Sequence, residues 1–301
     1  MDGIVNVYKE ADYTSHDVVA VIRKIFNQKK VGHTGTLDPM ATGVLPVCLG
    51  SGTKLADYIM SGEKTYRAKV TLGISTNTDD AWGEETGRAD FTFDPEAIKS
   101  AAESFTGEYS QIPPMYSAIR VNGQKLYTLA REGIEVERQA RTVTIHYVRL
   151  IELLPPDSFT IEVRCSKGTY IRTLCVDIGK KLCTLAHMGS LVRVASGGFT
   201  AESAHTLAEI KEYVDAGMPE KIVIPLKQAM SDYNMVTVKK SGEKLMRNGC
   251  RIYGRHFSSW KNEPHPGEIV AGLAPDGEFI GIYEVQEGKD GFFIKPVRLL
   301  I

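Results

Sequence analysis

Apolar and polar positions near the start of the chain follow first a helical and then an extended spacing. Thr14 and Asp17 have the spacing of a capping box, and the apolar residues that follow recur every three or four positions, which predicts an amphipathic helix. Residues 43–50 form a nearly continuous apolar run and residues 64–73 alternate, so both segments are predicted to be strands. The residues that share one face of the second strand are Tyr66, Ala68, Val70 and Leu72.

The pattern predicts a projecting arm over residues 113–142. Asn122-Gly123 lies between two extended segments, which is the strongest short hairpin signal, and a short helix is predicted over 125–132. Basic and aromatic residues alternate along the arm, an arrangement that suits RNA loops, where phosphates and unstacked bases are both reachable. These residues are Arg120, Lys125, Arg131, Arg138, Arg141, Tyr116 and Tyr127. A surface hairpin with ordinary charges is the alternative.

A second strand–turn–helix unit lies in the middle of the chain. Residues 159–165 alternate as a strand, and Ser166-Lys167-Gly168-Thr169 turns the chain into a helix with one apolar face. Tyr170 and Arg172 then occupy the first turn of this helix, where exposed backbone amides attract anions. Taken alone, Tyr170 favours the interpretation as a core aromatic.

The character of the chain changes near residues 231–235. A short strand, a helix from Lys240 to Asn248 and several strands with tight turns follow, and they predict a small β-barrel of about 65 residues. The predicted barrel strands are residues 268–273, 278–285 and 292–300. The chain therefore reads as α+β, with one domain over residues 1–232 and a second over 233–301.

Composition narrows the class of protein. The 301 residues are 43% apolar and 24% charged with a formal net charge of −1, and no secretory signal or membrane-length apolar run is present, so the cytosol is the expected compartment. Five scattered cysteines fit no zinc spacing and are predicted to be reduced core residues. The acidic segment 74–95 is predicted to be a surface loop or hairpin, with Asp79-Asp80 in a solvated turn.

The loop over residues 31–43 carries the strongest candidate chemistry. Pro39 excludes the helical region for Asp38, which is therefore expected to be extended, and the loop glycines allow close backbone approach. A carboxylate fixed in this way suits a nucleophile or a general base. The loop alone is also compatible with an Asp that caps a helix. A local excess of Lys and Arg surrounds the loop and indicates either an anionic partner or a solvated helix face.

Several ordered motifs resemble the bacterial tRNA pseudouridine-55 synthases, the TruB family, over essentially the whole chain. The matching segments are Val31–Pro46, Lys64–Arg67, Gln111–Ala118, Lys125–Gly133, Ser166–Arg172 and Ala186–Thr206. The resemblance implies the pseudouridine synthase fold, a mixed and largely antiparallel sheet flanked by helices, with a C-terminal PUA domain. It also implies isomerisation of a T-loop uridine in the cytoplasm by a monomer that needs no cofactor, metal, membrane or obligate protein partner.

The resemblance assigns roles to individual residues. Asp38 is implied to be the essential acid, acting at C1′, C6 or C2′, and Arg172 its ion-pair partner. Tyr66 is implied to stack on the flipped uracil and to serve as a base at C5. The residues implied to bind the substrate are His33, which fills the space left by the flipped base, Tyr170 and Leu191, which wall the pocket, and Lys9 and Lys64. The arm is implied to close over the T loop, and the PUA domain to contact the acceptor stem.

One segment departs from the family pattern. The family's Lys-Pro-x-Gly turn is Lys9-Glu10-Ala11-Asp12 here, and Asp can adopt the turn geometry of Gly.

Two other functions are compatible with part of this set of motifs. A guide-RNA-dependent synthase has the same Asp motif, although the arm and the compact C-terminus argue against it. A tRNA-folding helper would not require catalysis, although intact Asp38, Tyr66 and Arg172 argue against lost chemistry.

Overall fold

The computed structural model describes residues 1–117, 119–121, 123–134, 136–289 and 291–300. In chain order, the elements of its first half are β1 (Gly3–Lys9), α1 (Ser15–Ile25), β2 (Val31–His33), β3 (Thr42–Leu49), α2 (Ala56–Met60), β4 (Lys64–Leu72), β5 (Ile74–Thr76), β6 (Glu85–Arg88), α3 (Pro95–Glu103), β7 (Gly107–Gln111), β8 (Arg120–Val121), β9 (Gln124–Lys125), α4 (Leu126–Arg131) and β10 (Arg141–Leu154). The elements of its second half are β11 (Ser158–Cys165), α5 (Ile171–Lys181), β12 (Ala186–Ser196), β13 (Phe199–Thr200), α6 (Leu207–Asp215), β14 (Val223–Ile224), α7 (Leu226–Ala229), β15 (Asn234–Val238), α8 (Lys240–Arg247), β16 (Ile252–Tyr253), β17 (Phe257–Trp260), β18 (Ile269–Leu273), β19 (Phe279–Gly288) and β20 (Gly291–Leu299).

A ten-stranded sheet forms the larger part of the molecule. Its strand order is β14-β1-β3-β12-β4-β11-β10-β7, with β13 attached to β12 and β2 to β3. Every strand pair is antiparallel except β3 with β12. The parallel pair brings the end of the 31–43 loop beside the strand that carries Leu191. The expected mixed, largely antiparallel sheet is therefore confirmed.

The sequence signals for the first helix and the fourth strand are confirmed in detail. Thr14 and Asp17 form a reciprocal capping box, which satisfies backbone donors at the start of α1. Ala68, Val70 and Leu72 of β4 are buried against the helices α3 and α5. Burial of each large apolar side chain contributes roughly 1.5–3 kcal/mol, and this packing fixes which face of β4 turns inward.

The predicted arm is present between β7 and β10. Its described part contains the β8–β9 hairpin and the helix α4, which Gly133 ends with a φ of 72°. Arg138 Nη1 donates to the Pro113 carbonyl at 3.0 Å and so ties the end of the arm to its start. The predicted hairpin residue Asn122 lies outside the described residues, as does Asp290 of the predicted turn at 289–291.

The C-terminal strands form a separate six-stranded half-barrel with the order β16-β20-β19-β18-β15-β17. The three long strands, the helix α8 and its glycine stop were predicted, whereas the short strands β16 and β17 were not. Ile269, Phe279 and Ile282 of this sheet pack against Ile4 and Leu55 of the first region in one apolar cluster. The division of the chain at residue 232 stays a prediction.

Two sequence-based expectations are wrong. Cys183 and Cys250 are exposed, so only three of the five free cysteines are core residues. Residues 74–88 do form a hairpin, but Asp80 is buried rather than solvated, because its segment turns inward toward α5. Within the described ranges, the helices are too short or too polar to cross a membrane.

Candidate active site

The loop between β2 and β3 is held in place by short-range contacts along its length. Thr34 is buried and donates to the Pro46 carbonyl through both its backbone N–H and its hydroxyl, each at 3.1 Å. The backbone N–H of Leu37 donates to Ser15 Oγ at 3.0 Å, so the start of α1 anchors the loop. With its flanks fixed, the loop presents the Asp38 side chain, which is 45% exposed.

Asp38 forms an ion pair with Arg172, as the resemblance implied. Arg172 Nε lies 3.2 Å from Asp38 Oδ2, and the arginine side chain is only 7% exposed. Its other nitrogens donate to the carbonyls of Thr78 and Tyr116, at 3.1 and 2.8 Å. A guanidinium held by these contacts gives the Asp38 carboxylate a fixed, charged partner that orients it.

Asp80 is a second carboxylate beside Arg172, which sequence reasoning missed. Its Oδ2 lies 3.8 Å from Arg172 Nη1, and its Oδ1 accepts hydrogen bonds from Thr78 Oγ1 at 2.6 Å and from the Trp82 backbone N–H at 3.1 Å. The sequence does show an unusual feature at this position, the acidic pair Asp79-Asp80. From the sequence alone this pair predicts a solvated turn, because the sequence does not show that the hairpin folds back onto α5.

Tyr66 lies on β4 with a partly buried ring that packs against the main core. Burial raises the pKa of its hydroxyl, and the charge and hydrogen bonding of Arg193 oppose that rise. Leu191 lies two positions from Arg193 on β12, opposite Ala68, and is partly buried. Tyr66, Ala68, Leu191 and Arg193 therefore share one face of the β4–β12 pair.

Arg193 is the other residue that sequence reasoning missed. Its side chain is almost fully buried, with 1% of the residue exposed, and its Nε donates to the Val44 carbonyl at 2.7 Å. The neighbouring Gly43 has a φ of 102°, and a Cβ there would lie 2.2 Å from the Arg193 carbonyl oxygen. Only glycine allows β3 and β12 to approach this closely.

Both lysines of the predicted substrate site are buried and bound to backbone carbonyls. Lys9 Nζ donates to Pro39 at 2.7 Å and to Glu10 at 2.9 Å, while Lys64 Nζ donates to Gly62 at 2.5 Å and to Met60. Desolvation lowers the pKa of each ammonium to about 8. Lys9 thus fixes the residue that follows Asp38, and Lys64 fixes the turn before β4.

The departure from the family pattern at Lys9-Glu10-Ala11-Asp12 preserves the turn. Asp12 has a φ of 68°, the left-handed geometry expected for an Asp in place of a Gly. The chain therefore leaves β1 in a tight turn without the family's proline and glycine.

His33 and Tyr170 border the Asp38 loop and α5 respectively. The His33 ring packs edge-on against His16 with centroids 5.2 Å apart, and its Nδ1 accepts the Gly35 backbone N–H at 3.3 Å. Burial, together with the nearby His16, lowers its pKa, which favours a neutral ring. Tyr170 caps α5, and Gln111 holds its backbone N–H and carbonyl at 2.7 and 2.9 Å.

The site thus brings together Asp38, Arg172, Asp80, Tyr66 and Arg193 on neighbouring elements. Within the part of the chain that the structure describes, no group of three or more His, Cys, Asp and Glu side chains has the arrangement of a metal site. What the geometry offers is a half-exposed carboxylate oriented by a buried guanidinium, with the Tyr66 hydroxyl within electrostatic range of that carboxylate. Such a set can act on a sugar carbon or on a base stacked against the ring.

Comparisons with known proteins agree on one family. Residues 23–171 match the model of the TruB family pseudouridylate synthase N-terminal domain, and residues 172–231 match that of the tRNA pseudouridylate synthase B C-terminal domain. A curated tRNA pseudouridine synthase B of Alkaliphilus oremlandii is 45% identical over 301 residues, which cover all of this chain and 99% of the relative. The protein of the same name from Clostridium perfringens is 42% identical over 302 residues, with 100% and 99% coverage.

Solved structures support the same fold. A Cbf5–Nop10–Gar1 complex contains a chain that is 26% identical, with a TM-score of 0.80 and coverage of 99% of this chain and 85% of that one. A chain of an H/ACA RNP bound to a substrate RNA containing 2′-deoxyuridine is 24% identical, with a TM-score of 0.79 and the same coverages. The second likeness concerns the fold alone.

Proposed function

The chain belongs to the TruB family of tRNA pseudouridine synthases, and we propose that it isomerises uridine 55 in the T loop of tRNA at the Asp38–Arg172 site. The enzyme class is that of an isomerase, an intramolecular transferase, because the uracil leaves and rejoins the same ribose. The N1–C1′ bond breaks, the ring turns, and C5 bonds to C1′ with loss of its proton.

The observation that carries the proposal is the ion pair between a half-exposed Asp38 and a buried Arg172. The Asp38 carboxylate is open to a ligand. The Arg172 guanidinium is buried, and hydrogen bonds to two backbone carbonyls hold it in place. Attack on C1′, attack on C6 and deprotonation at C2′ all require a carboxylate held in a defined orientation, and the pairing with Arg172 provides it. The geometry is compatible with each of the three routes.

Tyr66 complements Asp38 in this proposal. Its ring lies on the face that also carries Leu191, so a uracil turned out of the T loop stacks between apolar surfaces. Once C5 has bonded to C1′, the C5 proton must be removed for the ring to regain its double bond. The Tyr66 hydroxyl is the proposed acceptor.

Substrate access requires base flipping, because a uridine inside a folded loop shields its C1′. His33 stands beside the Asp38 loop with a neutral, half-buried ring, which suits insertion into the space that the base vacates. The arm over residues 113–142 contacts the site through the Tyr116 carbonyl, so its closure over the T loop would be coupled to Arg172. Tyr170 and Leu191 wall the pocket, and Lys9 and Lys64 support its floor.

Residues 233–301 are proposed to form a PUA domain that contacts the acceptor stem. Six basic residues lie in the run Lys239, Lys240, Lys244, Arg247, Arg251 and Arg255. Lys240 and Arg247 are paired with Glu243, and Arg247 also with Glu278. For the other four, no carboxylate lies within ion-pair distance in the described residues, so their charges can be used by phosphates.

We also propose that the chain acts alone, as a monomer, in the cytoplasm. The Cbf5 neighbour was solved with Nop10 and Gar1, whereas the curated relatives that share 42–45% identity over full length carry the name of the tRNA enzyme. Activity of the purified chain on bare tRNA, with neither guide RNA nor added protein, tests this point.

The deciding experiment is incubation of an unmodified tRNA with the purified chain, followed by mapping of pseudouridine at single-nucleotide resolution. We expect conversion of the T-loop uridine by the parent. Asp38→Asn should be at least about a hundredfold slower, because loss of an essential group costs that much or more. Its tRNA affinity should stay within about tenfold, since many other contacts hold the RNA. Conversion at another nucleotide would reject the substrate assignment, and an active Asn variant would reject the site.

A further inference from the structure

Arg193 is a buried cation whose charge is not matched by the protein around it. Among the described residues no carboxylate lies within ion-pair distance of its guanidinium, and its Nη2 has no hydrogen-bond partner. The hydrogen bond from Nε to the Val44 carbonyl offsets part of the cost of burying this charge, and the unpaired Nη2 adds to that cost. A fully buried arginine in this condition indicates an interaction that forms during the reaction.

The position of Arg193 points to Tyr66 as the other member of this interaction. The two residues are direct partners across the β4–β12 pair, so their side chains leave the same face of the sheet side by side. The Val44 carbonyl fixes Nε, which holds the guanidinium plane in one orientation. Burial raises the pKa of the Tyr66 hydroxyl, and the nearby charge of Arg193 opposes that rise.

Tyr66 needs such a neighbour if it is the base at C5. A neutral phenol has its own proton and is a poor acceptor for another, and the burial of Tyr66 favours the neutral form. The other groups that act on its hydroxyl are Cys165 of β11 and Asp38, and an ionised Asp38 opposes a phenolate. Lys9, Lys64 and His33 lie within electrostatic range of Arg193 and add positive charge when protonated.

We propose that Arg193 is a positioning residue for Tyr66, whose guanidinium holds the phenolate oxygen in place and stabilises the ionised form that takes the proton from C5. The proposal rests on the proposed function. The phenol first loses its proton to solvent. After the C5–C1′ bond has formed, the phenolate accepts the C5 proton, and the electron pair of that C–H bond restores the C5–C6 double bond. The phenol is thereby regenerated, and N1, which lost its bond to C1′, takes up a proton from solvent that balances the one the phenol first released.

The direct test is a titration of Tyr66 in the full-length protein. The near-ultraviolet absorbance of phenolate is followed against pH for the parent and Tyr66→Phe, and the difference between the two curves isolates Tyr66 from the other twelve of the 13 tyrosines. The same pair is measured in an Arg193→Met background, which removes the charge at similar side-chain length. We expect Arg193→Met to raise the midpoint by about one pH unit or more. An unchanged midpoint would overturn the proposal.

Arg193→Lys is the matched variant that keeps a cation at the same position. Its midpoint should lie between those of the parent and Arg193→Met. Thermal unfolding of each variant reports whether the fold is retained, and Arg193→Lys keeps the proposal testable if Arg193→Met does not fold. A lysine variant with the same midpoint as the methionine variant would also contradict a role for the charge.

Single-turnover rates against pH provide the functional counterpart. With Arg193→Met, the rate at neutral pH should fall by about tenfold or more and recover as the pH rises, whereas a purely structural role lowers the rate equally at every pH. A parent chain that makes no pseudouridine would reject the proposed function. A fast Tyr66→Phe enzyme would reject the base role. If the parent is active and Tyr66→Phe is slow, but Arg193→Met keeps the pH profile of the parent, only the role of Arg193 is rejected.

Discussion

The cations around the Asp38 loop and those on the C-terminal half-barrel are placed in opposite ways. Lys9, Lys64 and Arg193 are buried and donate to backbone carbonyls, so their charges shape the protein. Lys244, Arg251 and Arg255 are exposed to solvent and lie outside the apolar core of their sheet. Under the proposed function, basic residues build the reaction site in one region and offer a phosphate-binding surface in the other.

This difference separates two kinds of effect. A buried cation acts on a few fixed neighbours at short range, so its loss should change the rate of the chemical step or the stability. An exposed cation acts on RNA through counterion release, so its loss should change affinity and salt dependence. Substitutions around the Asp38 loop should therefore change the reaction rate, and substitutions on the C-terminal half-barrel should change tRNA binding.

Among substitutions around the Asp38 loop, the largest loss of reaction rate is expected for Tyr66. Tyr66→Phe keeps the stacking ring and removes the proton acceptor, so single-turnover conversion should slow by about a hundredfold or more while tRNA affinity stays close to that of the parent. Tyr66→Leu should be at least as slow. If the Phe enzyme converts tRNA nearly as fast as the parent, the hydroxyl has no role and Tyr66 only stacks.

A smaller loss of rate is expected for Asp80→Asn. Asp80 is one of the two carboxylates at Arg172, and without its charge the guanidinium is less firmly oriented toward Asp38. The single-turnover rate should fall by about ten- to a hundredfold, the range typical of a small misplacement of reacting groups. Asp90→Asn, an exposed carboxylate further along the same acidic segment, is the matched control. Equal effects of the two substitutions would remove Asp80 from the site.

The C-terminal surface should change binding and leave the chemistry intact. Ile282 and Ile4 belong to one apolar cluster, so deletion of the half-barrel would expose that cluster and is an unsuitable test; the charges are removed in the full chain instead. Changing Lys244, Arg251 and Arg255 to Gln should weaken tRNA binding by about tenfold and lower the slope of log Kd against log salt by about two to three.

The control for this variant is a chain with the same number of charges removed from existing ion pairs. Arg88, Lys211 and Lys240 are exposed and already paired with a carboxylate three or four residues away. Changing these three to Gln should have little effect on affinity. If the control weakens binding as much as the C-terminal variant does, total charge rather than this surface determines the affinity.

The smallest effect concerns stability against pH. Lys9 has a folded-state pKa of about 8, below its ordinary value of 10.5, so between these values the unfolded chain binds more protons than the folded one. The free energy of unfolding of the parent should therefore rise with pH across this window relative to Lys9→Met, with Lys211→Met as an exposed control. Urea titrations at several pH values provide the measurement, and a difference between parent and Lys9→Met that does not vary with pH would contradict the assignment.

Local signals in the sequence were sufficient for much of the fold. The capping box of α1, the alternation of β4 and the glycine stops of α4 and α8 depend on nearest neighbours and on one buried face, and all were predicted. The short strands β16 and β17 were missed because two to four residues carry no measurable periodicity. The exposed Cys183 and Cys250 were missed because composition does not determine the burial of a single residue.

Sequence analysis could predict only those site residues that belong to a motif within one continuous segment. Asp38, Tyr66 and Arg172 belong to three such segments, and the family resemblance implies that they meet in one site. Asp80 and Arg193 acquire their importance from tertiary contacts, one from a hairpin folded onto α5 and the other from strand pairing with Tyr66. The acidic pair Asp79-Asp80 is visible in the sequence but its contact with Arg172 is not, and the strand pairing of Arg193 with Tyr66 leaves no local signal.

The central claim is that the Asp38 site performs the chemistry and the C-terminal surface supplies affinity. It is tested most directly by measuring the single-turnover rate constant and Kd separately for the parent, Asp38→Asn and the Lys244/Arg251/Arg255 variant, on full tRNA and on a T-arm hairpin. Asp38→Asn should lose its rate constant on both RNAs with Kd within about tenfold of the parent. The charge variant should lose affinity for full tRNA, much less for the hairpin, with an unchanged rate constant. An Asp38→Asn enzyme that converts either RNA at close to the parental rate constant would contradict the account.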